Sequence, residues 1–523
     1  GARECTGTGE KKYEMWIRTT RIVQGGVWIE GLLRRRKTNV RGRGQSMGVL
    51  KRQLAMLANG EKRVLEIIAH FGVDDFQQGM VALLDYAAQQ AQRILESVPD
   101  GDYFFAEYAD EDSVNGKPMR VAMTLKIRGG RAILDYTGSD PQLLSSLNMP
   151  TGGMTRHALA LVGYHYVLYT LNPDILLNAG LDRVVECVLP EGSVMNAVYP
   201  AAVGMRSLTC KLTHVLTFGA FSQAIPDRLP ACAACGLAIL NVKTTNTSGR
   251  PVIASIGPVG GGAGGMPFGD GEEGSGANVA FLRNTPVEIN EAEVPIRITR
   301  YCLVPDSGGA GKYRGGSGLM MEFQVFAPDT TVTARNRDRT HFASWGVLGG
   351  KAGSNAIFVK NPDSAAPEML GNSDVIRCQA GDVIRLTGAG GGGYGSPLDR
   401  DPQLVLSDVK SGYVSSARAE QDYGVVIHEG ELDIEATQIK RNELAITTAP
   451  ITHFDFGPWR THFERSWTPE RYLALTDILS RVPVIWRFHI KHRLFDALAA
   501  AEAQGETAPG GELIYQLFDA FSE

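Results

Sequence analysis

The chain has few of the features that would set it apart from ordinary globular proteins. It has only seven cysteines in 523 residues, too few and too scattered for a disulfide framework, which favours a reducing compartment. Its longest apolar stretch, residues 157–171, is shorter than a membrane span and contains two histidines. No secretory signal peptide is visible. We therefore expect a cytoplasmic protein with no membrane contact.

Charge and glycine distribution argue against two further classes of protein. The net charge of −5 argues against a dedicated nucleic-acid surface. Glycine is abundant, with 61 residues, but it shows no three-residue period, which excludes a collagen-like chain. The first residue is glycine and not methionine, so we expect the chain to follow a missing or separate segment.

The length and the pattern of the chain predict an α+β protein with several domains. It should combine mixed and antiparallel sheets with helical hairpins and a C-terminal helical appendage. The expected domains are an N-terminal region of strands and a helical hairpin (1–100), an α+β domain (101–236), a glycine-rich β domain (237–400), and a C-terminal helical region with its appendage (401–523).

Periodicity locates the main elements within these domains. Apolar residues at helical spacing predict helices, and alternating apolar residues predict strands. Thr468 should cap its helix, with Pro469 at the first position. Residues 239–386 are typical of an antiparallel β-rich unit. The predicted helices are 46–70, 74–97, 154–171, 207–225, 468–479 and 483–504, and the predicted strands include 103–108, 119–127 and 131–136.

Three glycine-rich loops are the most distinctive feature of the sequence, at residues 257–276, 305–318 and 388–395. Glycine at this density suggests backbone that closely approaches a ligand, a partner or a neighbouring strand. Residues 260–265 satisfy G-x-G-x-x-G, but Pro267 and the glycines after it cannot begin the helix that a dinucleotide site requires. Residues 306–312 lack the first glycine of a phosphate loop, and Tyr313 replaces its Ser or Thr. We therefore expect no ATP site in this chain.

Charged groups beside these loops are the first candidates for chemistry. Glu288, Glu291 and Glu293 lie close to Asn284, and such carboxylates can coordinate a cation or supply a general acid–base pair. They can equally be solvated charges that cap turns. Lys312 and Arg314 would be exposed in a tight β-turn or would contact an anion or a partner.

Histidines and cysteines give weaker signals. His157 begins an apolar helix, where it would face a pocket or be a hydrogen-bonded core residue. Cys232 and Cys235 form a lone C-x-x-C, and without a second pair nearby the pattern favours buried thiols over a zinc site. His489 and His492 lie one helical turn apart, with no carboxylate in register, and are expected at a surface or an interface.

Six blocks of sequence occur together in a recognisable order. They are Asp135-Tyr136-Thr137-Gly138-Ser139-Asp140-Pro141-Gln142, Leu177-Asn178-Ala179-Gly180, Leu189-Pro190-Glu191-Gly192-Ser193, Asn284-Thr285-Pro286-Val287-Glu288, the loop from Pro305 to Gly316, and the segment from Gly390 to Pro402. In these blocks the chain resembles the hydantoinase B/oxoprolinase family, over about residues 10–441.

The resemblance implies a multi-subunit enzyme. A partner of the hydantoinase A type would hold ATP and magnesium and phosphorylate an amide or enol oxygen, and the B-type chain would complete the chemistry on the activated substrate. In the family, Glu, His and Asp residues in a region preceding the matched part bind a divalent metal, so no metal ligands are expected in this chain. Some members of the family open cyclic amides with ATP, and others add a carboxyl group to ketones with ATP.

Three functions remain open from the sequence. The extension beyond Pro450 favours a subunit of a ketone carboxylase of the acetone or acetophenone type. The alternatives are a subunit of an ATP-dependent cyclic-amide hydrolase (N-methylhydantoinase, 5-oxoprolinase or lactamase) and a non-catalytic scaffold in such a complex. Lys312 and Arg314 would contact an anion or a partner. The residues expected near the catalytic cavity are Asp135, His157, Asn284, Glu288 and Glu291.

Overall fold

The computed structural model describes residues 22–24, 27–29, 43–276, 284–335, 338–447, 452–505 and 510–520. Contacts divide the chain into two units. The described parts of the smaller unit lie within Gly7–Ala91 and Ile175–Arg183, and those of the larger unit within Gln92–Asp174 and Val184–Glu523. The four domains expected from the sequence stay a prediction. No helix in the described stretches combines the length and the apolar character that crossing a bilayer requires.

The smaller unit contains a short β-ribbon and two long helical segments. Strands β1 (Val23–Gln24) and β2 (Val27–Trp28) pair antiparallel. Helix α1 spans Arg43–Phe71, and helix α2, Val73–Glu96, begins in this unit, so both helices predicted here are confirmed. Gly72 separates them with a φ of +86°, a left-handed conformation that glycine adopts without strain.

A four-stranded sheet begins the larger unit, and its strands are β3 (Gly101–Ala109), β4 (Met119–Arg128), β5 (Arg131–Asp135) and β6 (Val185–Val188). The first three strands are antiparallel neighbours, and β6 runs parallel to β5. Gly129 and Gly130 make the β4–β5 turn at positive φ, which confirms the predicted glycine turn.

Two apolar helices accompany this sheet, α3 (Ala158–Leu171) and α4 (Arg206–Ala224). They pack on each other, and α4 also packs on β3 and β4. Gly163 of α3 permits the close approach, because a Cβ there would overlap the side chain of Thr217. A 3-10 helix spans Ala179–Val184.

Two antiparallel sheets follow. Their strands are β7 (Leu237–Thr245), β8 (Pro251–Gly260), β9 (Ile296–Leu303), β10 (Leu319–Val325), β11 (Thr330–Arg335), β13 (Ile357–Lys360), β14 (Glu368–Met369), β15 (Val375–Cys378) and β16 (Val383–Thr387). Strand β12 (Gly346–Val347) lies outside both sheets, and helix α5 (Val287–Glu293) precedes β9. The strand orders are β15-β11-β7-β8 and β14-β13-β16-β10-β9. Leu240, Val332, Phe323 and Ile384 of both sheets share one core. The predicted antiparallel unit is confirmed.

The three glycine-rich loops pack against one another, and we call residues 257–276, 305–318 and 388–395 the glycine core. The amide of Gly391 donates to the carbonyl of Gly316 at 3.0 Å, and that of Gly316 donates to Ala263 at 2.8 Å. The amide of Gly262 donates to Ala389 at 2.9 Å. A Cβ added at Gly391 would overlap the Ala263 carbonyl oxygen. The predicted close packing of backbone is therefore confirmed, and the neighbour is another glycine loop.

The C-terminal region is mostly helical, with a 3-10 helix at Pro397–Asp399, α6 (Pro402–Lys410), α7 (Ser416–Tyr423), β17 (Ile427–His428), β18 (Glu431–Leu432), α8 (Ile434–Thr447), β19 (Phe454–Asp455), α9 (Gly457–Ser466), α10 (Pro469–Arg481), α11 (Val484–Ala503) and α12 (Glu512–Asp519). Thr468 caps α10 and Pro469 occupies its first turn, as predicted. This region is bound to the rest of its unit: β19 pairs with β12, and the Tyr472 hydroxyl donates to the Pro118 carbonyl at 3.0 Å.

Candidate functional site

Asp135 lies at the end of strand β5, where its carboxylate is already engaged. Oδ2 accepts from Lys126 Nζ at 2.9 Å, and Oδ1 accepts from the Thr137 hydroxyl at 2.6 Å. Burial raises the pKa of this carboxyl, but the hydrogen bonds from Thr137 and Lys126 outweigh it, so the pKa is lowered. Asp135 is thus an ionised, paired carboxylate, and its catalytic role stays a prediction.

His157 caps helix α3, where its Nδ1 accepts from the Leu159 amide at 3.2 Å. Partial burial lowers the pKa of its imidazole. Asn284, Glu288 and Glu291 lie at and just before helix α5 and are exposed. Glu291 Oε1 accepts from the Ile298 amide at 2.8 Å. Among the described residues, no hydrogen bond or ion pair joins this group to His157 or to Asp135, and their joint role also stays a prediction.

Lys312 and Arg314 both belong to the glycine core but differ in exposure. Lys312 is exposed, with Nζ 5.5 Å from the centre of the Tyr313 ring. Arg314 is 4% exposed, and its Nη2 lies 2.7 Å from Glu273 Oε1. The exposed Arg314 expected from the sequence is therefore corrected, because carboxylates distant in the chain surround it. Its contact with an anion or a partner stays a prediction.

A different group of residues brings several titratable side chains with perturbed pKa values together at helix α4. Lys211 and His214 lie three positions apart on α4 and so share one face of the helix. Cys235 lies opposite, with its Sγ 4.0 Å from His214 Nδ1. We call Lys211, His214, Cys235 and Arg339 the α4 cluster. Perturbed pKa values that gather in one place are a physical indication of function.

Lys211 is buried without compensation. It is 4% exposed, and its Nζ has no hydrogen-bond partner within the described part of the chain. Burial lowers the pKa of its ammonium to about 8, while Cys235, Cys210 and Asp338 oppose that change. Purely structural lysines seldom occupy such a position, because an unpaired buried charge is costly.

His214 is a neutral imidazole enclosed by aromatic rings. The ring centres of Tyr166 and Phe218 are 4.8 Å and 4.9 Å from its own. Burial lowers the pKa of the imidazole to about 4. Its Nε2 has no hydrogen-bond partner among the residues that the structure describes. The ring therefore retains an unused polar nitrogen beside an apolar wall.

Cys235 and Arg339 contribute strained backbone to the cluster. Their φ angles are +55° and +68°, in the left-handed region that costs about 1–3 kcal/mol for residues with a Cβ. Burial raises the pKa of the Cys235 thiol to about 11, against the positive charges of Arg339 and Lys211. The thiol is therefore protonated at neutral pH. The prediction of buried thiols is confirmed for Cys232 and Cys235, which are 1% and 5% exposed.

A buried ion pair fixes Arg339 in place. Its Nη1 lies 2.9 Å from Glu107 Oε1, and its Nε donates to the Ala234 carbonyl at 3.2 Å. The Trp345 indole donates to Glu107 Oε2 at 3.2 Å. Each carboxylate oxygen of Glu107 therefore has a partner, and Arg339 holds the backbone next to Cys235.

This arrangement encloses two polar atoms, because Lys211 Nζ and His214 Nε2 are both buried and have no hydrogen-bond partner within the described residues. With a pKa of about 8, roughly nine lysines in ten are protonated at pH 7, and the remainder are free amines. An unpaired ammonium is a group that stabilises an anionic oxygen, and a free amine is a base or a nucleophile. A cavity of about 20 Å³ is lined by Gly236, Asp338 and Thr340, which are the chain neighbours of Cys235 and Arg339, and it has room for about one water molecule.

The described residues do not fit a divalent-metal centre. None of their His, Cys, Asp and Glu side chains form a group of three or more that could hold a metal ion. The α4 cluster itself contributes only two groups of the kind that bind a metal, one imidazole and one thiol.

The sequence holds a local signal for this cluster, although no known motif contains it. Lys211 is the only charged residue of α4 after Arg206, and it shares a helical face with a histidine inside an otherwise uncharged segment. A lysine and a histidine at this spacing in a helix predicted to be buried indicate a functional pair. No local pattern in the sequence indicates that Cys235 and Arg339 lie close to helix α4.

Comparison with known proteins gives matches over most of the chain. The family model described as "Hydantoinase B/oxoprolinase" matches residues 14–397. A protein of Pseudomonas sp. (strain NS671), provisionally named as the B component of a D-/L-hydantoinase, is 30% identical over 415 residues, which are 77% of this chain and 68% of that protein. The α4 cluster lies inside the matched region.

Two solved structures share the fold. The ATP-dependent caprolactamase from Pseudomonas jessenii has a TM-score of 0.71 at 27% identity, and the match covers 82% of this chain and 75% of that chain. The nucleotide-free structure of acetone carboxylase has a TM-score of 0.72 at 19% identity, and the match covers 95% of this chain and 72% of that chain.

Proposed function

Because this chain belongs to the hydantoinase B/oxoprolinase family, we propose that it is the B-type component of an ATP-dependent ketone carboxylase. A hydantoinase A-type partner would bind ATP and magnesium and phosphorylate the substrate. The observation that carries the proposal is the extent of the fold shared with acetone carboxylase, 95% of this chain, whereas the family match ends at residue 397. The C-terminal helices are therefore part of the shared fold.

The chemistry of a carboxylation supports a role for the α4 cluster. Both the activated substrate and the enolate carry an anionic oxygen. The Lys211 ammonium can stabilise this oxygen once the substrate is bound in a site that excludes water. His214, neutral at working pH, can accept or return a proton at its unpartnered Nε2. Arg339 holds the loop that brings Cys235 against the imidazole.

The test uses the chain purified together with its A-type partner. We expect incorporation of labelled bicarbonate into acetone or acetophenone that depends on ATP. Lys211→Met should abolish incorporation, and Lys410→Met is the matched control, because Lys410 makes only an exposed ion pair. ATP hydrolysis with ketone but no dependence on bicarbonate would contradict the carboxylase. Full turnover by Lys211→Met would contradict the assigned site and favour a scaffold role.

Hydrolysis of a cyclic amide is the second candidate. It is supported by the higher identity, 27%, to the caprolactamase of Pseudomonas jessenii. The same purified complex should then open caprolactam, hydantoin or 5-oxoproline with ATP and without bicarbonate. The two functions are therefore distinguished by which substrate stimulates ATP hydrolysis.

A cytoplasmic location also belongs to the proposal. Six cysteines in the described part of the chain are free thiols, which fits a reducing compartment. ATP is also available there. Fractionation of the source cells, followed by immunodetection of the chain, would test it.

A further inference from the structure

A cavity of about 250 Å³ lies in the larger unit, between strand β3 and the segment around helix α9. The four residues of the α4 cluster are not part of its wall. Its volume is just below the range of about 300–1,000 Å³ that is typical of sites for drug-sized ligands. The cavity therefore suits a ligand with a single ring.

Aromatic rings form much of the wall. Six of the twelve residues that line the cavity are aromatic, so the wall favours a flat, apolar body. The rings of Phe454 and Phe456 are stacked, with their centres 5.4 Å apart and their planes at 22°. The ring centre of Phe105 lies 5.1 Å from that of Phe454. Aromatic faces in this arrangement stack well on another aromatic ring.

Three buried side chains of the wall carry a hydrogen-bond donor without a partner in the described part of the chain. The donors are the Tyr108 hydroxyl, Arg120 Nη1 and Trp467 Nε1, and none of these atoms is sealed from solvent. Each of the three residues lines the cavity and is at most 4% exposed. Because so little of each side chain is accessible elsewhere, we infer that the donors face the cavity and are available to an occupant.

The three donors lie close to one another. Tyr108 and Arg120 are direct cross-strand partners in the β3–β4 register, so their side chains share one face of the sheet. The guanidinium carbon of Arg120 is 4.2 Å from the centre of the Tyr472 ring. The ring centres of Tyr108 and Trp467 are 5.7 Å and 6.0 Å from that same centre. One small group of a ligand can therefore reach all three.

The charges of the wall favour an anion. Arg460 and Glu464 neutralise each other, with Nε 2.8 Å from Oε1. Arg120 forms no ion pair with a described carboxylate, since its Nε and Nη2 donate to the Gly138 carbonyl at 3.1 Å and 2.8 Å. One positive charge is left over.

The third donor is also present at neutral pH, because burial raises the pKa of Tyr108 to about 12. An ionised carboxylate only accepts hydrogen bonds. It is therefore the group that complements a guanidinium, a hydroxyl and an indole N–H together.

We propose that this cavity binds a small aromatic carboxylate. Its carboxylate accepts from Tyr108, Arg120 and Trp467. Its ring stacks on Phe454 and Phe456. The site is separate from the α4 cluster, and its occupancy does not depend on the proposed reaction.

The test is calorimetric titration of the full chain with three probes, without ATP or the A-type partner. Benzoate carries both features, benzamide has the same ring without the charge, and cyclohexanecarboxylate has the charge without a flat ring. We expect benzoate to bind at one site, benzamide at least about tenfold more weakly, and cyclohexanecarboxylate about two- to tenfold more weakly. Absence of benzoate binding, or equal binding of either other probe, would overturn the proposal.

Two variants and a control make the assignment specific. Tyr108→Phe and Trp467→Phe each remove a donor that has no partner in the described chain, so the fold loses no hydrogen bond. Each should weaken benzoate binding about tenfold. Tyr301→Phe removes a hydroxyl that also lacks a partner but lies outside the cavity wall, and it should bind as the unmodified chain does. Unchanged benzoate binding by both cavity variants would contradict the site.

Discussion

Lys491 Nζ lies 2.9 Å from Asp140 Oδ2, although 351 positions separate the two residues in the chain. Helix α11 is therefore attached to the loop after strand β5 by a buried charge. The Tyr472 hydroxyl reaches the same carboxylate oxygen at 3.3 Å. The C-terminal region is thus part of the hydrogen-bonded and ionic interior of the larger unit.

Replacing Lys491 by methionine should strongly destabilise the larger unit. Asp112 and Asp140 would remain buried without a counter-charge, so we expect the free energy of unfolding to fall by about 3–5 kcal/mol. Urea denaturation followed by circular dichroism measures this change. The control, Lys410→Met, removes an exposed pair with Glu431 and should cost less than about 1 kcal/mol. Equal effects of the two substitutions would contradict the buried network.

Replacing Lys211 by methionine should instead stabilise the protein. A lysine whose pKa falls from about 10.4 to about 8 on folding destabilises the native state by about 3 kcal/mol at pH 7. The unfolded chain binds more protons between these values, so the deficit shrinks as pH rises from about 8 to about 10.4. Denaturation at pH 7 and at pH 10 should show a gain in the variant that is larger at pH 7. A destabilised variant would contradict the unpaired ammonium.

His214 should make the free energy of unfolding depend on pH in the acid range. Its pKa is about 4 in the native state and about 6.5 when unfolded. The unfolded chain therefore takes up a proton in this window, and the free energy of unfolding should fall by up to about 1.4 kcal/mol per pH unit below about pH 6.5. His214→Phe should reduce this slope, whereas His428→Phe, at the exposed end of strand β17, should keep it. Identical slopes in both variants would refute the buried imidazole.

Replacing Gly391 by alanine should disrupt the glycine core. The added Cβ overlaps the Ala263 carbonyl oxygen, and backbone cannot move aside as the end of a flexible side chain can. We expect a loss of at least about 3 kcal/mol, at the upper end of overpacking effects. Gly60→Ala is the control, since its Cβ meets nothing within 4 Å and alanine favours a helix by about 1 kcal/mol. Comparison of thermal melting temperatures tests the difference.

Local signals in the sequence located much of the fold. The cap at Thr468, the turn at Gly129 and Gly130, and the apolar character of helix α4 each depend on residues close together in the chain. The close packing of the glycine loops could be predicted because glycine at such density has few other uses. No single segment of the sequence indicates which of the three loops contacts which.

The candidate site depended on contacts between distant segments. The carboxylate of Glu273 that neutralises Arg314 comes from 41 positions away, and Glu107 reaches Arg339 across 232 positions. Neither pairing leaves a periodic trace in the sequence. For the same reason the sequence favoured the conspicuous carboxylates near Asn284 over Lys211, whose significance appears only once its burial is known.

The glycine core limits how this region can vary among related chains. In an ordinary interior, a bulky substitution can be offset by a smaller residue next to it, so sequences drift while volume is conserved. Where glycine backbone packs on glycine backbone, no neighbouring side chain can be replaced by a smaller one. A larger residue in one loop therefore cannot be offset by a substitution in the other two. Divergence should therefore accumulate in the surrounding strands and helices, while the three loops keep their composition and their length.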